Sequence, residues 1–87
     1  MAKIEITPEF LNDIKSMTAI VDAGIVLSNR QDTCDRFGNL LYSTFDISGQ
    51  LVPESESGQV VIAMRRDDFG GISVDRVIPF DSLRSDI

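Results

Sequence analysis

Apolar and polar residues alternate in four stretches of the chain and follow a helical period in one. Lys3–Ile6 alternates, with Ile4 and Ile6 on one face, and reads as a short strand. Thr7-Pro8-Glu9 then marks a helix start. The Thr7 hydroxyl can cap free amides, Pro8 suits the first helical position, and Glu9 sits at the positive end of the helix dipole. Phe10, Ile14, Met17 (or Thr18), Val21 and Ile25 follow at spacings of three and four, which predicts one apolar helical face ending near Gly24. Thr18–Val26 is rich in β-branched residues, so a helix ending near Met17 and a hairpin turning at Asp22-Ala23-Gly24 is the competing reading.

Ser28–Asn39 is polar and turn-like. Leu40–Ile47 has period two, with Leu41, Ser43, Phe45 and Ile47 on one face and Tyr42, Thr44 and Asp46 on the other. Gly49–Gly58 is a loop by composition, with Leu51-Val52-Pro53 an apolar knuckle inside it. Gln59–Arg66 and Ile72–Phe80 read as two more strands around Asp67-Asp68-Phe69-Gly70-Gly71. A register in which paired residue numbers sum to 140 sets Val60 against Phe80, Ile62 against Ile78 and Arg65 against Asp75. Phe69-Gly70-Gly71 is then a three-residue loop with Gly71 at positive φ. No repeat or low-complexity tract stands out. Together the pattern predicts an α+β fold, one N-terminal helix packed on a three- or four-stranded antiparallel sheet.

Composition narrows the chemistry. The 87 residues include no histidine, one cysteine and no tryptophan. Without histidine, Ser-His-Asp and Cys-His nucleophiles and most zinc sites are excluded. At 43% hydrophobic and 25% charged, residues 1–87 read as a single small globular domain. Such a domain buries only roughly 60–65% of its unfolded surface, and a lone cysteine staples nothing, so burial against a second copy or a partner is expected. The start of the chain lacks the apolar core of a signal peptide, and Met17–Leu27 is too short and polar to span a bilayer; the plain expectation is a cytoplasmic protein with no membrane role.

The net charge of −6 concentrates in the middle third, where Asp32, Asp35, Asp46, Glu54 and Glu56 face Arg36 alone. Direct nucleic-acid binding is not expected, because it needs clustered Lys and Arg. A basic surface on a larger protein is the better electrostatic match. Cys34 is flanked by Asp32 and Asp35, which oppose thiolate formation, and the acids lack the spacing of a calcium loop. No catalytic residue, metal or cofactor is therefore expected. Arg65, Arg66 and Arg76 gather on the C-terminal hairpin beside Phe69. They either balance Asp67, Asp68 and Asp75 or form a mixed-charge rim around an aromatic anchor. In size and charge the chain resembles small acidic accessory proteins carried by phages and plasmids, which bind and block a larger host enzyme.

The leading expectation is thus a non-enzymatic inhibitor or regulator that blocks a basic, nucleic-acid-handling surface. Asp32, Asp35, Glu54 and Glu56, or Arg65, Arg66, Asp67, Asp68 and Phe69, are the candidate contact residues. A homo-oligomeric assembly subunit (a dimer first) and a small-molecule sensor with a pocket between subunits are the alternatives.

Overall fold

Helix and antiparallel strand both appear in the computed structural model, which describes residues 2–54 and 58–83 and the side chains of these up to residue 81. Strand β1 (Ala2–Ile6) leads into a one-turn helix α1 (Pro8–Leu11) and then a longer helix α2 (Ile14–Asp22). The single continuous helix expected from the apolar spacing is broken at Asn12–Asp13. Asp13 is the reason: its extended backbone stops the first helix and its carboxylate caps the second. That carboxylate accepts from the Lys15 amide at 3.2 Å and the Ser16 hydroxyl at 2.7 Å. Thr7, in contrast, occupies a capping position without making a side-chain cap bond.

The restart changes which face is buried. Ser16, Ala19 and Ile20 point inward, whereas Ile14 and Val21, assigned to the core face by spacing, are 80% and 67% exposed. The end of the helix matches expectation. Ala23 is the C-cap, Gly24 follows at φ +77°, its amide bonds to the Val21 carbonyl, and the Ile25 amide bonds to Ile20. That pair of bonds is a Schellman ending, and Ile20 and Ile25 complete it inside the core. The competing hairpin at Asp22–Gly24 is overturned by the same bonds.

Strands β2 (Val26–Cys34) and β3 (Leu40–Ser48) form a hairpin, and β1 pairs with the far side of β3, giving the order β1-β3-β2. The stretch from Ser28, expected to be turn-like, is therefore mostly strand. It reads as polar because β2 is a sheet edge with nearly every residue exposed. Its register slips between the Ser28–Asp46 and Gln31–Thr44 pairs, where Asn29 takes φ +52° in a bulge. A second slip leaves Leu41 opposite no partner and turns it outward, while Ser43, Phe45 and Ile47 are buried on one face as their alternation predicts.

Strands β4 (Val60–Arg66) and β5 (Ile72–Pro79) form a separate two-stranded sheet, with a short 3-10 turn at Phe80–Leu83 beyond it. Its register is not the expected one. Val60 pairs with Pro79 and Ile62 with Val77, one residue short; past a bulge that skips Asp75, Arg65 pairs with Ser73, two short. The turn causes this, because it closes at Asp67 and Gly71 around Asp68–Gly70, one position earlier than expected; the bulge then takes back one of the two residues. The sheets touch at one parallel bridge, Lys3 beside Gln59, supported by a bond from the Lys3 amide to the Gly58 carbonyl. Ile6, Ile20, Ile25, Phe45, Ile47 and Val60 make the shared core. No helix among the described residues is long and apolar enough to cross a membrane.

Candidate functional site: two hairpin turns of one design

Asp35-Arg36-Phe37-Gly38-Asn39 and Asp67-Asp68-Phe69-Gly70-Gly71 are the same turn built twice. In each, the first and fifth residues close the ladder, from the Asp35 amide to the Asn39 carbonyl and from the Asp67 amide to the Gly71 carbonyl, both at 2.9 Å. In each, the glycine amide reaches back to the aspartate carbonyl, at 3.1 Å for Gly38 and 3.3 Å for Gly70. In each, the aspartate Oδ1 accepts from the amides of the phenylalanine and of the fifth residue. Gly38 and Gly70 adopt φ +84° and +80°, a region that L side chains resist. Gly70, and not Gly71 as expected, is thus the positive-φ position of the second turn. Aspartate, glycine and the order of bonds specify the turn, and the phenylalanine between them is left pointing into solvent. Phe37 is 75% exposed and Phe69 98% exposed.

The second residue distinguishes the copies. It is Arg36 in one turn, with its guanidinium 4.9 Å from the centre of the Phe37 ring, and Asp68 in the other. The α1–α2 corner reaches both turns. Leu11 and Asn12 line a hollow with Leu40, next to the first turn, and the Lys15 ammonium donates to the Gly70 carbonyl at 3.5 Å in the second. Ile14 and Phe69 border one shared hollow. The exposed Ile14, Phe37, Leu41 and Phe69 therefore lie by the helix corner and the two turns, whereas the exposed Val21, Val26 and Leu51 lie away from them.

The acidic candidates do not form one open surface. Asp35 is absorbed in its turn; bonds from Asn39 and from the Phe37 amide hold its carboxyl below the usual carboxylate range. Asp32 accepts from the Ser43 hydroxyl at 2.6 Å and from Arg30 at 2.8 Å, and those bonds likewise lower its pKa. Glu54 is exposed beyond β3, and Glu56 lies outside the described residues. Of the hairpin candidates, Arg65 and Arg66 are exposed at the end of β4, Asp67 is internal to its turn, and Asp68 and Phe69 stand at the tip. The balancing ion pairs between these arginines and Asp67, Asp68 or Asp75 do not form among the described residues, where Arg30–Asp32 is the pair that does.

Phe37 escaped the sequence reading, although the signal was present. Asp-x-Phe-Gly occurs twice, 32 positions apart, too short a match to stand out as a repeat. A separate apolar cleft of about 380 Å³ opens between β1 and β4, lined by Ile4, Ile6, Phe10, Val60, Ile62 and Phe80. Its ionisable neighbours are Lys3 and Glu5. No group of three His, Cys, Asp or Glu residues suited to a metal occurs among the described residues. Comparison of the chain with protein-family models, curated proteins and solved structures gives no match.

Proposed function

We propose that this chain is a non-enzymatic protein-binding module that docks through the end bearing Phe37 and Phe69. The supporting observation is the pair of phenylalanines held in solvent on two turns of identical build. Aromatic side chains carry large contact area at small entropic loss, and turns fixed by four internal hydrogen bonds present them already ordered. Such residues are the usual anchors of interfaces. The test is a photo-reactive phenylalanine analogue placed in turn at 37, 69 and 54 in producing cells. Cross-linked protein from positions 37 and 69, with little from 54, is the expected result; equal yields from all three overturn the reading.

A second reading keeps the acidic inhibitor or regulator of a larger protein with a basic surface. Its support is the net charge of −6, concentrated in the middle third of the chain. Binding of that kind slows as salt rises, since the Debye length falls from about 10 Å at 0.1 M to about 3 Å at 1 M. Glu54→Lys with Glu56→Lys is the clean probe, because Asp32 and Asp35 are held by internal bonds. An on-rate indifferent to both salt and this pair removes the acidic reading.

A further inference from the structure

The two turns are alike in backbone and opposite in charge at one position, and that combination specifies a partner. On the reading that this end is a docking surface, we infer that its occupant is a second copy of the chain. The dimer is a two-fold one in which the first turn of each copy meets the second turn of the other.

Charge supports this occupant at two levels. Around the helix corner and the turns stand Lys15, Arg36, Arg65 and Arg66 against Asp13, Asp35, Asp67 and Asp68, four of each sign. The rest of the chain has four basic and ten acidic residues. Two copies at −6 repel each other over most of their surface, and the turn end is where they meet without net repulsion. The match is also specific. A two-fold axis makes every contact occur twice with the roles exchanged. Setting the first turn against the second brings Arg36 to the partner's Asp68 and Phe37 to the partner's Phe69, both in duplicate. A first turn against another first turn would oppose Arg36 to Arg36. The equal geometry of the turns makes the exchange possible, and their unequal second residues choose the pairing. Ile14, exposed beside Phe69, extends the apolar centre.

The experiment is sedimentation equilibrium of the full chain up to about 0.5 mM, near the weak end of specific association. It is joined by energy transfer between donor- and acceptor-labelled chains at Cys34, an exposed thiol adjoining the first turn. The native chain is expected to dimerise and to show transfer between labels. Phe37→Ala and Phe69→Ala each weaken the dimer about thirtyfold, as loss of a central anchor does. All these side chains are exposed, so the variants keep the fold, which circular dichroism checks. Arg36→Asp and Asp68→Arg each weaken it about tenfold, and the double exchange restores it, the signature of a direct pair. A chain that stays monomeric throughout the range overturns the dimer. So does a dimer that tolerates the phenylalanine substitutions, or one that the double exchange fails to rescue. A monomer that still cross-links a foreign protein from positions 37 and 69 overturns the dimer and leaves the docking surface standing.

Discussion

The two hairpins share a turn and little else. The β2–β3 hairpin contains two bulges, has a polar edge strand, and contributes Phe45 and Ile47 to the core through β3 alone. The β4–β5 hairpin has one bulge and apolar residues in both strands, and β5 lies along α2. Identical turns at the ends of such different strands show that the five residues at the tip set their own geometry. Strand composition decides only which side of the hairpin is buried.

Seven substitutions sharpen or break that comparison. The largest effect belongs to the strands: Ile47→Ala, at a position 2% exposed, should destabilise by about 2–5 kcal/mol in chemical denaturation. Val77→Ala in the half-buried second sheet should lose clearly less. Next come Gly38→Ala and Gly70→Ala, each expected to lose about 1–2 kcal/mol for forcing an L side chain to positive φ. Equal losses are required if the turns are one design, and a twofold difference breaks the equivalence.

A smaller and asymmetric effect is expected at the fifth position. A Cβ on Gly71 would lie 2.5 Å from the Asp67 carboxylate, which must shift to the arrangement Asp35 has beside Asn39, so Gly71→Asn should lower the melting temperature slightly. Asn39→Gly, which forfeits only the amide bond to Asp35 at 3.2 Å, should be tolerated better. The smallest effect is acid sensitivity of the first turn. The Asp35 pKa is depressed on folding, chiefly by the bond from Asn39, so its contribution is complete above the unfolded value of 3.8 and is lost as pH falls through the lower folded value. Urea midpoints measured from pH 5 to pH 2 should therefore fall less steeply in Asp35→Asn than in the native chain.

What could be read in advance follows from how local its cause was. Helix and antiparallel sheet were both legible, as were the alternation of Ser43, Phe45 and Ile47 and the stop at Gly24, because each depends on neighbours a few residues away. The helix break was not, because Asp13 can serve equally as a surface residue within a long helix or as the cap of a new one. With the break unseen, Ile14 was placed inward and Ile20 overlooked. β2 was missed since an edge strand needs no apolar face, and the β4–β5 register since the turn closes on Asp67 and Gly71 through bonds to the aspartate, which the apolar pattern does not record. At the candidate site, Phe69 and its neighbours were visible beside a glycine pair. The internal duties of Asp35 and Asp67 were not, because they depend on where two backbone amides point.

The single bridge at Lys3 and Gln59 has a kinetic consequence. Both hairpins join strands adjacent in sequence and can zip from their own turns within microseconds, the usual timescale of hairpin formation. β1 must instead find β3 across a loop holding both helices and β2, and loop closure of that length is slow relative to a hairpin. The first strand therefore arrives last. With it come Ile6 of the shared core and the backbone bridge to Gln59, just before β4, so five residues at the start of the chain act as the clasp that turns two separately formed hairpins into one cooperative unit.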